Sequence, residues 1–288
     1  MTAAGARLGV DVGGTFTDVV ILADGRQITA KVPSTPSDQS EGVLTGVEAA
    51  DFDAADLEAF AHGMTVATNA LLERSGARLA LVTTEGFRDV LEIGRQNRPS
   101  LYDLTRDRPP PLVPRELRFT VRERMGPEGE ITALDEDDLA RAVTAVREAD
   151  VEAVAVCLLF AFLHPEHEQQ VGKALRAELD GVHVSLSSEV LPEFREFERF
   201  ATTAADAYLA PRLSAYLGQL AERASDAGLP ALLVMQSSGG VVDLESAARQ
   251  APAPRLPTAG RHAAHRRHRP RRSSRRRRSP CARRPSAA

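Results

Sequence analysis

The stretch "LGVDVGGTFTDVVIL", Leu8–Leu22, consists of two apolar runs of strand character joined by a turn that holds Gly13 and Gly14. Leu8–Val12 and Thr17–Leu22 are read as an antiparallel pair. The hydroxyls of Thr15 and Thr17 and the carboxylates of Asp11 and Asp18 crowd into the same few residues. A phosphate tail needs backbone N–H donors at close range, and glycines allow both the approach and the unusual dihedrals. Thr15 and Thr17 could add side-chain donors, and Asp11 could hold a magnesium ion through water. The turn of an ordinary hairpin accounts for the glycine pair equally well. The stretch is neither a Walker loop nor a GxGxxG loop, because it joins two strands rather than a strand and a helix.

Outward from this hairpin, "ADGRQ" turns into a third strand, "ITAKV", and "SDQSEGVLTGVEAA" follows as a helix with Val43, Leu44 and Val47 at helical spacing. "FAHGMTVATNALLERSG" reads as strand, loop and helix, "RLALVTT" as a buried strand and "EGFRDVLEIG" as a short helix. The stretch 98–116 is too proline-rich for regular structure and is expected to be an ordered connection or flap. "RFTVRERMGPEGEITAL" suggests a hairpin around Gly126–Gly129, and "DEDDLARAVTAVREAD" an acid-started amphipathic helix. "VEAVAVCLLFAF" is then a central strand, followed by a helix from about Glu166 to Leu179 and a strand "HVSLSS". A long helical region runs from Phe194 to Gly228 and is expected to kink or restart at Pro211. "ALLVMQSSGGVV" closes as a strand ending in a Gly–Gly turn, and "DLESAARQ" opens another helix. Strands alternating with helices imply an α/β domain with a mixed sheet.

Composition sets the class. Hydrophobic residues make up 43% of 288 residues, enough for a sizeable core. No apolar run reaches the roughly 18 residues a membrane helix needs, and the N-terminus lacks the basic and apolar regions of a signal peptide. A soluble cytoplasmic protein is expected. Two cysteines, Cys157 and Cys281, supply neither a disulfide framework nor a four-ligand zinc site, and Cys157 reads as a buried small hydrophobe.

Two further segments carry candidate chemistry. "HGMTVATNAL" places an imidazole (His62), two hydroxyls (Thr65, Thr68) and an amide (Asn69) in one glycine-containing entry to a helix. It could bind a substrate ring or its developing phosphate; helix capping by Thr65 or Thr68, with His62 a satisfied hydrogen-bonder, is the plainer reading. "RQNRPSLYDL" carries Arg95 and Arg98 around Asn97, and arginines can clamp a carboxylate bidentately or form ordinary surface ion pairs. "SSEVLPEFREFER" reads mostly as helical charge pairing, and "QSSGG" as a strand-ending turn that could also close over a ligand.

"GVDVGGTFTDVV" resembles the first phosphate loop of the actin-like ATPases and sugar kinases. More narrowly, "HGMTVATNALLERSGARLALVTTEGFRDVLEIGRQNRPSLYDL", "PPPLVPRELRF", "SLSSEVLPEFREFER" and "LLVMQSSGGV" resemble the hydantoinase A, 5-oxoprolinase and acetone carboxylase β-subunit family. The resemblance runs from about Leu8 to Gln250. It implies a ribonuclease H-like α/β half, with family-specific insertions around the proline-rich stretch and residues 116–190. The implied divisions are an N-terminal domain at 7–190, the start of a core domain at 191–251, and a disordered basic tail at 252–288. It implies ATP and Mg2+ as cofactors and ATP-dependent opening of a cyclic amide such as 5-oxoproline, hydantoin or N-methylhydantoin. An amide carbonyl is a poor electrophile; phosphorylating its oxygen creates a leaving group, and water then opens the ring. Under this resemblance Gly13, Gly14, Thr15 and Thr17 hold phosphate and Asp11 orients the metal's water. Asp11, His62 and Asn69 take the catalytic roles, and Thr65, Thr68, Arg95 and Arg98 face substrate. The implied partner is a hydantoinase B-type subunit or domain, and the alternative reading is a non-catalytic binding or assembly subunit.

The net charge of -4 conceals two segments. Thirteen of the 36 basic residues, all arginine, lie between Pro252 and Ala288 without one acid, leaving 23 basic against 40 acidic residues before them. This tail suits a nucleic-acid-binding arm, a plain disordered extension, or a wrong-frame extension. The third is preferred, and nucleic acid is not an expected partner. The family continues here with a Ser-Gly-Pro-Ala loop and a second phosphate loop, neither of which this chain carries. Codons for Thr258–His262, shifted by two nucleotides, permit Ser-Gly-Pro-Ala. The chain is therefore expected to be an incomplete and inactive fragment.

Overall fold

The computed structural model describes residues 5–35, 38–97, 99–103, 105–235 and 240–244. The expected "DLESAARQ" helix beyond Leu244, residues 236–239 of "QSSGG", Arg98 and the arginine-rich tail lie outside the described residues. In chain order the elements are β1 (Ala6–Val12), β2 (Phe16–Ala23), β3 (Arg26–Pro33), α1 (Gln39–Ala49), β4 (Leu57–Met64), α2 (Val66–Leu72), β5 (Leu79–Thr84) and α3 (Val90–Ile93). There follow β6 (Arg118–Val121), β7 (Arg124–Gly126), β8 (Gly129–Thr132), α4 (Glu136–Glu148), β9 (Ala153–Cys157) and α5 (Glu166–Glu178). The last are β10 (His183–Leu186), α6 (Ser187–Val190), α7 (Glu196–Asp226), β11 (Leu232–Met235) and β12 (Val241–Asp243).

The strands form a six-stranded mixed sheet, β12-β11-β4-β1-β2-β3, a four-stranded sheet, β10-β9-β5-β6, and the small β7-β8 hairpin. All pairings in the four-stranded sheet are parallel. Its strands β5 and β9 are buried along their whole length, as parallel strands covered on both faces must be. In the six-stranded sheet β1, β2 and β3 form an antiparallel meander, and β4 joins β1 in parallel. The β2–β3 turn places Asp24 at φ 50° and Gly25 at φ 74°, the left-handed pair that a two-residue hairpin turn requires.

One helix joins two cores. Phe200, Ala204, Ala207, Tyr208 and Leu209 of α7 belong to the core of the four-stranded sheet. Ala210, Leu213, Leu217, Leu220 and Ala224 of the same helix belong to the core of the six-stranded sheet. Pro211 sits at the change-over, yet α7 runs as one helix through it, so the expected restart does not occur. Proline removes one intrahelical hydrogen bond; burial of a continuous apolar stripe on both sides outweighs that loss. Cys157 is fully buried, as read from the sequence. Among the described residues no helix is long and apolar enough to cross a membrane.

Helix α1 lies close on the β1–β2–β3 meander because Gly42 and Gly46 stand on its contact face, beside buried Val43 and Val47. A Cβ on Gly46 would stand 2.6 Å from Val19 Cγ2, and one on Gly42 would stand 3.0 Å from Thr17 Oγ1. Gly46→Leu gains about 1 kcal/mol of helix propensity but overpacks this contact, at a cost of about 1–3 kcal/mol. The expected result is a thermal midpoint lowered by several degrees; an unchanged midpoint in a melting experiment would show that α1 can lift off the sheet freely.

Candidate phosphate-binding site

The turn between β1 and β2 is held by its neighbours rather than by itself alone. Gly13 N–H donates to the Phe16 carbonyl at 3.0 Å. Ser34, just beyond β3, donates its N–H to the Thr15 carbonyl at 2.9 Å and its hydroxyl to the Gly13 carbonyl at 2.9 Å. Among the described residues no group accepts from the N–H of Gly14 or Thr15. Both residues are exposed, so the loop offers two adjacent free amides to the outside. That is the donor set a phosphate oxygen needs.

Asp11 closes one side of this loop. It is exposed, pairs in register with Asp18 on β2 and Gly63 on β4, and leans over Gly63, where a Cβ would come within 3.3 Å of its Oδ1. Gly63 thus leaves the carboxylate room on the sheet face. Asp18 is engaged by Lys31 at 2.7 Å, which leaves Asp11 as the acid of this pair without a cation among the described residues.

Helix α2 enters on the other side. Thr65 precedes its first residue but does not cap it. Instead the Thr65 N–H and hydroxyl both donate to the Val12 carbonyl, at 3.3 and 3.1 Å, tying the helix start to the end of β1. Asn69, one turn on, holds its Nδ2 3.5 Å from Thr65 Oγ1, and a Cβ on Gly14 would contact that nitrogen at 3.4 Å. Asp11, Gly13, Gly14, Thr15, Thr65 and Asn69 therefore meet, with Thr68 exposed on the same short helix.

Three expected residues are elsewhere. His62 is fully buried in the core between the six-stranded sheet and α7, its Nε2 2.9 Å from the Tyr216 hydroxyl. It pairs in register with Val10, one residue before Asp11, so its side chain and the Asp11 carboxylate leave the sheet on opposite faces. Burial pushes its imidazole down to about 4, and Nδ1 only approaches the Val10 backbone without a sound hydrogen bond. A neutral imidazole behind the sheet cannot reach a ligand at the loop. Thr17 is likewise fully buried, its hydroxyl 3.1 Å from Ser34 Oγ, so it backs the loop instead of facing phosphate. Arg95 pairs with Glu198 at the N-terminal end of α7. Glu198 and Tyr216 are separated by 18 residues on α7, about 27 Å of helix. The structure does not bring Arg95 to the loop.

A model of the hydantoinase/oxoprolinase N-terminal region matches residues 7–179, and a hydantoinase/oxoprolinase model matches residues 199–260. The chain belongs to the hydantoinase/oxoprolinase family. The second match extends ten residues past Gln250, the end of the motif resemblance. Caprolactamase subunit alpha of Pseudomonas jessenii is 39% identical over 228 residues, covering 74% of this chain and 32% of that protein. The 5-oxoprolinase 1 of Arabidopsis thaliana is 32% identical over 272 residues, covering 82% of this chain and 21% of that protein. The nucleotide-free structure of acetone carboxylase, from work on ATP-dependent acetone carboxylation, superposes with a TM-score of 0.77 at 26% identity, covering 86% of this chain and 39% of that one. The chain thus spans between a fifth and two fifths of the length of these family members.

The loop's chemistry fits the phosphate tail of a nucleotide such as the family uses. Free amides at Gly14 and Thr15 suit phosphate oxygens, and the Asn69 amide stands beside them. Magnesium needs only one or two carboxylates when phosphates and waters complete its shell. Asp11 supplies one, and the described residues hold no group of three or more metal-binding side chains. The residue that sequence reading missed in this family member is Ser34. Its signal was available: β2 and β3 pair Phe16 with Pro33, which carries Ser34 alongside Thr15.

Proposed function

We propose that this chain supplies a phosphate-gripping loop to an ATP-dependent enzyme that opens a cyclic amide such as 5-oxoproline, hydantoin or N-methylhydantoin. The carrying observation is the pair of free amides at Gly14 and Thr15 beside the Asp11 carboxylate. Family membership and the 5-oxoprolinase and caprolactamase relatives support the reaction class. ATP, when bound, supplies the phosphoryl group that makes the amide oxygen a leaving group. Gly14 and Thr15 orient the phosphates by donating N–H, and Asp11 holds magnesium's water. Asn69 beside Gly14 and exposed Thr68 on α2 are assigned to the transferred group or the ring. Catalysis is then positioning and charge neutralisation.

A second reading has its own support: the caprolactamase relative is a subunit. This chain would then act as a binding or assembly component with a hydantoinase B-type partner. The two separate on the purified chain titrated with ATP and Mg2+, then assayed for ring opening of 5-oxoproline and N-methylhydantoin. Saturable ATP binding, weakened about tenfold or more by Asp11→Asn, is expected. Absence of ATP binding overturns the phosphate-loop reading and leaves assembly. Ring opening by this chain alone overturns the reading of it as an inactive fragment.

A further inference from the structure

Ser34 has no role in the family resemblance, yet two of its groups fix the loop. A trans peptide carries its C=O and the following N–H on opposite sides of one plane. Ser34 takes the Gly13 carbonyl with its hydroxyl and the Thr15 carbonyl with its N–H, at 2.9 Å each. With the Gly13 carbonyl drawn toward β3, the Gly14 N–H is turned the opposite way, outward. The Gly13 N–H is consumed by Phe16, so the orientation of the Gly13–Gly14 peptide decides whether the loop shows a donor or an acceptor at its tip.

The Ser34 hydroxyl is itself held. It has one proton, given to Gly13, so Thr17 Oγ1 at 3.1 Å is the donor to Ser34 Oγ. Thr17 is fully buried, and Gly42 of α1 leaves the space it occupies. Asp38, after Ser34 in the connection to α1, accepts from Ser40 N–H at 3.2 Å and Ser40 Oγ at 2.6 Å, and Arg223 of α7 reaches it at 2.6 Å. The connection is thus anchored to two helices.

We propose that Ser34 is a positioning residue for phosphate binding, acting through the Gly13–Gly14 peptide, with Thr17 as its support. The proposal rests on the phosphate-loop reading above. The side-chain bond is the specific element, because any residue at 34 other than proline keeps the backbone N–H bond to Thr15. Ser34→Ala leaves the Gly13 carbonyl free to rotate toward solvent, where it would repel phosphate. Ser34→Thr retains the hydroxyl.

The test measures affinity for ATP and for adenosine, which lacks phosphate, in the parent chain, Ser34→Ala and Ser34→Thr, with thermal midpoints alongside. Expected are ATP binding weakened about tenfold in Ser34→Ala, adenosine binding unchanged, a midpoint lowered by a few degrees because the buried Thr17 hydroxyl loses its partner, and ATP affinity and midpoint restored in Ser34→Thr. Equal ATP affinity in parent and Ser34→Ala overturns the positioning role while the phosphate-loop reading stands. Parallel loss of ATP and adenosine binding assigns Ser34 a merely structural role and also overturns it. If the parent binds no ATP, the phosphate-loop reading fails. The brace itself is then judged by 15N relaxation: order parameters at Gly14 and Thr15 that fall in Ser34→Ala uphold it, and unchanged ones overturn it.

Discussion

Replacing Arg199 by methionine is expected to destabilise the chain by about 3–5 kcal/mol, the range seen when one member of a buried charged network is removed. Arg199 on α7 is fully buried and donates from three nitrogens: Nε to Ser187 Oγ at 3.2 Å, Nη1 to the Glu193 carbonyl at 2.8 Å and Nη2 to the Leu158 carbonyl at 2.9 Å. The Ser187 hydroxyl in turn donates to buried Glu168 at 2.7 Å, which also accepts from the N–H groups of Leu158 and Ser188 at 2.9 and 2.7 Å. Burial pushes the Glu168 carboxyl upward, and these bonds oppose it. Methionine fills the volume but removes the cation and all three donors, so the ends of β9 and β10 lose their tie to α7. Lysine keeps the charge but cannot serve all three acceptors, and Arg199→Lys is expected to fall between parent and Arg199→Met. Urea denaturation measures both; a loss below about 1 kcal/mol in Arg199→Met would show that the network is incidental. Should Arg199→Met not fold, Arg199→Lys still reports the missing donors.

The second large effect is a pair of opposed pH dependences. His62 is held at about 4 by burial, below its ordinary 6.5. The unfolded chain therefore binds more protons between these values, and this residue's contribution to stability is lost as pH falls from 6.5 to 4. Asp206 on α7, buried and accepting from Ser185 Oγ at 2.7 Å, is pushed up to about 6 from its ordinary 3.8. Here the folded chain binds more protons, so stability falls as pH rises from 3.8 to 6. Each difference corresponds to about 3 kcal/mol at 1.36 kcal/mol per unit. Chemical denaturation at pH 4, 5, 6 and 7 should reveal them as differences from the parent. His62→Gln is expected to gain on the parent on going from pH 7 to pH 4, and Asp206→Asn on going from pH 4 to pH 7. Parallel curves for parent and variant would show that the group titrates normally, and hence that its burial is not maintained in solution.

Several elements were legible because their signals are local. The β1–β2 turn was set by adjacent glycines, α4 by its acid-rich start, and β9 by an unbroken apolar run. The site was legible only in part. Thr65 and Asn69 of "HGMTVATNAL" sit beside the loop, but His62 of the same segment does not, because it lies in a strand where neighbours alternate faces. Arg95, for which an ordinary ion pair stood as an alternative to a substrate clamp, is paired with Glu198 away from the loop. An arginine in a polar stretch carries no indication of its partner, and Glu198 lies 103 residues away.

The sequence by itself determined which groups the loop carries and the family, since both reside in runs of adjacent residues. It also determined that Asp11 and Val10 must face opposite ways, as strand periodicity is built into each residue's backbone. Only the tertiary structure decided which of those faces His62 would share. That depends on the register between β1 and β4, which no local pattern encodes. It likewise decided that Thr17 would stand behind the loop and Ser34 would orient it, because β3 returns along β2 before α1 closes over both. The same packing carried α7 through Pro211 as one uninterrupted helix, where burial in two cores outweighs the hydrogen bond that proline forgoes.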